Sequence, residues 1–120
     1  MFQTGVFTRV AGYTAKEAIT KYAPDGKVVG EVILGVGSKG SEKYPVFYVR
    51  VTVWEKLAEE AESVLDRKGI AVEASGMLWV RLYEGKHGTA NDVELRGVRE
   101  LRVYDRAGEV KVLSGVAEAE

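Results

Sequence analysis

Residues 46–69 read VFYVRVTVWEKLAEEAESVLDRKG, and two periodicities meet within this stretch. Its first part alternates with a period of two, as a half-buried β-strand does. One side of that strand carries Phe47, Val49, Val51 and Val53, and the other carries Val46, Tyr48, Arg50, Thr52 and Trp54. The second part changes to a helical period, with apolar residues at Leu57, Ala58, Ala61, Val64 and Leu65. We therefore predict a strand that runs directly into an α-helix.

The end of this helix carries signals of its own. Glutamates crowd its early turns and Arg67-Lys68 lie in its last turn, which suits the helix dipole. Gly69 lies where a C-terminal cap belongs. Thr14 and Glu17 have capping-box spacing, which predicts a second helical turn at TAKEA.

Most of the remaining chain has the character of β-structure. The predicted strands are residues 5–11, 27–36, 46–54, 70–83 and 92–104, and Gly97 interrupts the last strand as a bulge would. Five strands with one helix between the third and the fourth is the order of an OB-fold. We predict an all-β, five-stranded OB-fold barrel with one α-helix between strands 3 and 4 in residues 1–106. Residues 107–120 would form a short C-terminal extension, either a further strand or flexible. An all-β sandwich is the alternative fold.

The bulk composition limits the classes of function. The chain has 120 residues, 46% of them apolar and 29% charged, with a formal net charge of −1. Binding to nucleic acid would therefore require a local basic surface. There are no cysteines, which excludes disulfides and thiolate metal sites. The N-terminus lacks a signal-peptide pattern, and no apolar run approaches the ~20 residues that span a bilayer. We expect a soluble, cytoplasmic, nucleoid-associated protein.

A second row of aromatic residues accompanies the first. Residues 77–83, MLWVRLY, place Leu78, Val80 and Leu82 on one side of a strand. The other side carries Met77, Trp79, Arg81 and Tyr83. If the aliphatic rows fill the barrel, both aromatic–arginine rows lie outside, where rings can stack on bases and arginines can contact phosphates. Alternatively, these rings cover the barrel under the helix or form a subunit interface.

Several segments resemble the bacterial single-stranded-DNA-binding protein family. Thr8-Arg9-Val10 is similar to a Gly-Arg-Leu in its first strand, and residues 21–27, KYAPDGK, to its Arg-Tyr-x-Pro-Asn-Gly turn. Residues 48–59, YVRVTVWEKLAE, resemble its Trp-His-Arg-Val-Val-x-Phe-Gly-Lys-Leu-Ala-Glu. Residues 68–76 resemble its Lys-Gly-x-x-Val-x-Val-x-Gly, although Glu73 replaces a usually apolar residue, and Arg81-Leu82-Tyr83 resembles its Arg-x-Trp. The resemblance runs from about Gly5 to Tyr104, in the family's order.

This resemblance implies a set of site residues. The family's stacking positions fall on Tyr48, Trp54 and Tyr83, and its basic backbone-contacting positions on Arg9, Arg50, Lys56 and Arg81. Lys21 and Tyr22 belong to the resembling turn. We add Trp79 because strand parity puts it on the same side. The resemblance also implies single-stranded DNA as ligand, a homotetramer or homodimer, and no cofactor.

The sequence departs from the family in three respects. The stacking tryptophan after the second strand has no counterpart in GVGSKGSEKYP, which holds only Tyr44. The segment before Lys21 is longer than usual. The chain ends at GVAEAE, without the acidic, Pro-Phe-terminated tip that recruits repair and replication enzymes. Partner recruitment by that route is therefore in doubt.

Three patterns that suggest other chemistry have plainer explanations. Residues 35–40, GVGSKG, match GxGxxG, but a strand follows where a dinucleotide site needs a helix. Lys39 and Lys43 in this loop could still contact phosphates. His87 is the only histidine and lies in a polar loop without metal-ligating partners. The helix glutamates Glu55, Glu59, Glu60 and Glu62 form a solvated face. We predict neither enzyme activity nor a metal site.

These observations predict a protein that coats and protects single-stranded DNA in replication, recombination or repair. Low sequence specificity is expected, because stacking supplies no hydrogen-bond code. Two alternatives remain open. In one, the protein is a replisome or primosome assembly module whose aromatic side is a protein interface. In the other, it is an RNA-binding OB-fold protein.

Overall fold

A computed structural model of the chain describes residues 2, 4–38, 40–86 and 88–115. In these ranges there are eight strands and one helix. They are β1 (Val6–Thr14), β2 (Ile19–Tyr22), β3 (Val28–Val36), β4 (Phe47–Trp54), α1 (Glu55–Val64), β5 (Ala71–Gly85), β6 (Gly88–Arg96), β7 (Leu101–Tyr104) and β8 (Val110–Leu113). The predicted mostly-β class with a single helix between the third and fourth predicted strands is confirmed. No described helix has the length and apolar character needed to cross a membrane.

Five of the strands pair in a cycle. β1 pairs with β3, and β3 with β4, in antiparallel fashion. β4 pairs with β6 in parallel, through Arg50–Glu94 and Val51–Leu95. β6 pairs with β5, and β5 returns to β1. β2 is added beside β3, and β7 and β8 follow beside β5. Because β6 pairs with both β4 and β5, it lies between the two strands that carry the aromatic rows.

The core lies on the inward side of these strands. Val49, Val51 and Val53 of β4 are almost fully buried, as their alternation predicted. Leu57, Ala58 and Ala61 of α1 pack against the same core. The helix approaches β3 closely at Gly30, where an added Cβ would lie 2.9 Å from Cβ of Ala58. The predicted apolar side of the helix is therefore the side that closes the core.

The described residues form eight strands, whereas the sequence predicted five, with a further strand as one alternative for the C-terminal extension. Residues 92–104 form not one strand with a bulge but two strands, β6 and β7, separated by a turn in which Gly97 has a φ of 70°. β2 occupies residues that carried no strand prediction. β8 lies in the predicted C-terminal extension, pairs with β7 and places Leu113 in the core.

The helix is shorter than predicted. It ends at Val64, and the amide of Leu65 donates to the carbonyl of Ala61. Gly69 therefore does not cap the helix. It lies in a later turn with a positive φ of 88°, and its amide donates to the Thr14 carbonyl. The predicted helical turn at TAKEA is also absent. Thr14 is instead the last residue of β1, and its hydroxyl donates to the carbonyl of Arg67 and accepts from the amide of Ile70.

The predicted core row of residues 77–83 is only partly correct. Leu78 packs against the core, but Val80 and Leu82 are 59% and 69% exposed. They lie in the outer part of the β5–β6 hairpin, past the point where β1 stops pairing with β5 at Leu78. Alternation predicts their direction correctly, because they point to the side opposite Trp79 and Tyr83. There is simply no core beneath this part of the hairpin.

Candidate nucleic-acid interface

The outward side of β4 carries the first aromatic row. Tyr48 and Trp54 are 59% and 47% exposed, and Arg50 and Thr52 lie between them. The strand presents these side chains because Val49, Val51 and Val53 point the other way, into the core. The two rings are therefore accessible to a ligand laid across the strand.

The outward side of β5 carries the second row. Trp79 and Tyr83 are each 47% exposed, and Arg81 lies between them with its side chain 73% exposed. Met77 begins the row and is partly buried. Neither tryptophan of the chain is sealed inside the subunit.

β6 joins the two rows into one surface. Its outward residues are Asp92, Glu94 and Arg96, which pair across the strands with Arg81, Trp79 and Met77 respectively. Glu94 also pairs with Arg50 of β4. Two strand spacings, roughly 10 Å, therefore separate the aromatic rows. We call this surface the aromatic face; it consists of Tyr48, Arg50, Thr52, Trp54, Met77, Trp79, Arg81, Tyr83, Asp92, Glu94 and Arg96.

The carboxylates of β6 hold the arginines of the aromatic face. Asp92 Oδ2 accepts from Arg50 Nη2 at 3.0 Å and from Arg81 Nη2 at 3.2 Å. Glu94 Oε1 accepts from Arg96 Nε at 2.7 Å and lies 3.5 Å from Arg50 Nη2. The Arg96 guanidinium also lies 5.9 Å from the centre of the Trp79 ring, within cation–π range. These contacts fix the three arginines in position before any ligand binds. The same contacts partly neutralise the positive charge of the three guanidinium groups.

Glu94 is the most buried charged group of this network. Burial raises its pKa, but the hydrogen bonds from Thr52 and Arg96 and the charges of Arg50 and Arg96 outweigh that effect, so the pKa lies below its ordinary value of 4.5. The carboxylate is therefore ionised at neutral pH. It holds Arg96 beside Trp79 in that state.

The other predicted basic residues surround the aromatic face. Lys21 of β2 is in register with Val29 of β3, and Val29 is in register with Trp54 of β4. The Lys21 ammonium lies 2.9 Å from the Glu31 carboxylate. Arg9 lies on β1, 67% exposed and 3.5 Å from Glu73. Lys56 is exposed in the first turn of α1, two residues after Trp54.

Tyr22 is the predicted site residue that the structure separates from the rest. It is 79% exposed, but its register with Val28 places it on the opposite side of β2 from Lys21. Three other predicted features, Lys39, His87 and the tail residues 116–120, lie outside the described residues. In the described ranges, no group of three or more His, Asp or Glu side chains could hold a metal ion.

The fold was compared with those of known proteins. Among the solved structures with a similar fold is a small single-stranded DNA-binding protein from Streptomyces coelicolor, with a TM-score of 0.66 and 16% sequence identity. The match covers 88% of this chain and 98% of that protein. The two folds are similar. No family profile and no curated protein matches the sequence.

Sequence reasoning assigned two of the three strands to the aromatic face. It predicted the middle strand as part of residues 92–104 but did not place it on this face. A signal for β6 existed, because DVELR alternates and sends Asp92, Glu94 and Arg96 to the side opposite Val93 and Leu95. Its place between β4 and β5 follows from a parallel pairing between residues far apart in the chain, which alternation cannot show.

Proposed function

We propose that this protein binds single-stranded DNA on the aromatic face, with little dependence on sequence. The aromatic side chains Tyr48, Trp54, Trp79 and Tyr83 would stack on bases. The basic residues Arg9, Lys21, Arg50, Lys56 and Arg81 would contact the backbone. Tyr22, on the opposite side of β2 from Lys21, is left out of this surface. The bound strand would lie across β4, β6 and β5.

One observation carries the proposal: four aromatic rings are about half exposed on one continuous surface with arginines between them. Burying such rings would ordinarily stabilise the fold, so their exposure points to a ligand with flat apolar surfaces. Stacking of a base on an aromatic side chain contributes about 1–3 kcal/mol and tolerates any base. The similar fold of the Streptomyces coelicolor protein, which is a single-stranded DNA-binding protein, supports the same ligand.

The ion pairs set the electrostatic mechanism. Each of the three arginines on the aromatic face already contacts a carboxylate. A phosphate would compete with Asp92 or Glu94 for the guanidinium groups, each of which has five N–H donors and can serve both partners. Binding would therefore rely more on stacking than on charge.

We extend this proposal to the barrel, the domain boundaries, the oligomeric state and the cellular role that the family resemblance implies. The cycle of β1, β3, β4, β6 and β5 would be the five-stranded OB-fold barrel, with β2, β7 and β8 added to it. Residues 1–106 would be the binding domain, with 107–120 as an extension. We further propose a non-catalytic homotetramer or homodimer that coats and protects DNA during replication, recombination or repair in the cytoplasm.

The first test is a fluorescence titration with oligo(dT) at low salt. Both tryptophans of the chain lie on the aromatic face, so DNA should quench their emission. Replacing Trp54 and Tyr83 together by alanine should weaken binding by about tenfold or more, since each stacked base contributes roughly 1–3 kcal/mol. The melting temperature should change little, because both rings are about half exposed.

Leu82→Ala supplies the matched control. Leu82 neighbours Tyr83 on the same strand but points to the other side and is 69% exposed, so its truncation should leave affinity unchanged. Unquenched tryptophan at micromolar protein would contradict the proposal. Oligo(U) in a parallel titration distinguishes an RNA-binding protein, which would prefer it.

The ion-paired arginines favour one second candidate, a protein-assembly module. A surface whose charges are already compensated suits a protein interface better than a polyanion. In that case oligo(dT) would not quench either tryptophan. The double alanine variant at Trp54 and Tyr83 would instead lose the oligomeric state or a co-purifying partner.

A further inference from the structure

A pocket of about 210 Å³ lies at the centre of the aromatic face. Residues of three strands line it: Arg50 of β4, Trp79, Val80 and Arg81 of β5, and Asp92, Glu94 and Arg96 of β6. It thus combines an indole ring, guanidinium groups and two carboxylates in one recess. This combination goes beyond a stacking surface, because it holds groups that can read the edge of a base.

The acceptor of the pocket is Asp92. Its Oδ2 atom takes both arginine contacts, from Arg50 and Arg81. The Asp92 side chain remains 22% exposed. A carboxylate offers about four acceptor positions over its two oxygens, so Asp92 keeps capacity toward the pocket.

The donors and the stacking surface lie beside this acceptor. Arg81 donates to Asp92 through Nη2, and its side chain is 73% exposed. Trp79 contributes its half-exposed ring, and the Arg96 guanidinium lies 5.9 Å from that ring's centre. A base stacked on Trp79 would therefore place its polar edge near one carboxylate acceptor and at least one guanidinium donor.

From this arrangement we infer that the pocket receives one base of a bound single strand and favours bases with an exocyclic amino group over thymine or uracil. Carboxylates accept hydrogen bonds from the cytosine amino group, and arginine donates to acceptor atoms on the base edge. Thymine and uracil instead present carbonyl oxygens on both sides of their one ring N–H, and these would face a negative charge. Asp92 is thus a specificity-determining residue at one position of an otherwise tolerant site.

This inference rests on the proposed function and needs a test that separates the two. We would measure the affinities of oligo(dC) and oligo(dU) of equal length, because these strands carry an amino group and a carbonyl, respectively, at the same ring position. The intact protein should bind oligo(dC) more tightly. Asp92→Asn removes the charge and adds an amide donor for the carbonyl, so it should reduce the dC-to-dU affinity ratio about fivefold or more, the lower end of discrimination by base-edge hydrogen bonds.

Asp66→Asn is the matched control, because it removes the same charge from an exposed residue after α1 that pairs only locally with Arg67. Its dC-to-dU ratio should equal that of the unchanged protein. Equal binding of oligo(dC) and oligo(dU) by the unchanged protein would overturn the inference even if Asp92→Asn failed to fold, and so would an unchanged ratio in a folded Asp92→Asn. Both results leave the proposed function standing. Absence of binding to either strand, and to oligo(dT), would remove the proposed function itself.

Discussion

Glu55 has a backbone φ of 55°, and it is the one described non-glycine residue with a positive φ. It lies between Trp54, which is still extended, and the rest of α1, so its conformation turns the chain from strand to helix. The left-handed region costs an ordinary residue about 1–2 kcal/mol. The resembling family motif carries glycine at this position, which would avoid that cost.

Glu55→Gly should therefore stabilise the protein by up to about 1 kcal/mol, because it removes the left-handed backbone strain. The greater conformational freedom of glycine in the unfolded chain offsets part of this gain. Urea denaturation would measure the change. Glu59→Gly is the control, because it lies in the interior of the same helix and should lose about 1 kcal/mol. Equal losses in both variants would show that Glu55 carries no backbone strain.

Among the elements, β5 sets the shape of the aromatic face. It pairs with β7 over Ala71–Ala74 and with β6 from Met77 onward, so it changes partners along one edge. Gly76 lies at the change, where an added Cβ would clash with the carbonyl oxygen of Arg96. The close approach of β6 at this point brings Arg96 to the aromatic face.

Gly76→Ala should consequently destabilise the fold by about 1–3 kcal/mol, as overpacking at a closely packed site does. Gly85→Ala, on the same strand, meets nothing closer than 3.5 Å and should cost little or nothing. Thermal and urea unfolding of the two variants would provide the comparison. A Gly76→Ala protein as stable as Gly85→Ala would contradict the close contact between β5 and the end of β6.

At the scale of the whole molecule, charge is nearly balanced, with 17 basic and 18 acidic residues. The balance is local as well as global, since Arg9, Lys21, Arg50 and Arg81 each lie within ion-pair distance of a carboxylate. Of the predicted basic site residues that the structure describes, Lys56 has no such partner. Lys56 should therefore contribute more to the salt dependence of DNA binding than the paired arginines.

The logarithm of the affinity for oligo(dT) should fall with the logarithm of the salt concentration, by about 0.7 for each phosphate neutralised. Lys56→Ala should make this slope shallower by roughly 0.7. Lys111→Ala, on β8 and outside the aromatic face, should leave it unchanged. Titrations between low and physiological salt measure all three slopes. A Lys56→Ala slope equal to that of Lys111→Ala would exclude a phosphate contact at Lys56.

The sequence alone determined which way most side chains point. The period of two over residues 46–54 assigned Val49, Val51 and Val53 to the core and Tyr48 and Trp54 to the surface, because successive side chains of a strand must alternate. The helical period of the apolar residues that follow, which is an equally local signal, located α1 and its buried side. The outward direction of Trp79 and Arg81 followed from the identical argument on β5.

Only the tertiary structure decided which of these strands are neighbours and where the core ends. The parallel pairing of β4 with β6 places Asp92 and Glu94 among the arginines, and the end of β1 leaves Val80 and Leu82 exposed on the side predicted to be buried. Both outcomes depend on contacts between residues far apart in the chain. Alternation predicts the direction of a side chain but not which strand lies beside it. The position of Asp92 and Glu94 at the centre of the aromatic face therefore follows only from the tertiary structure.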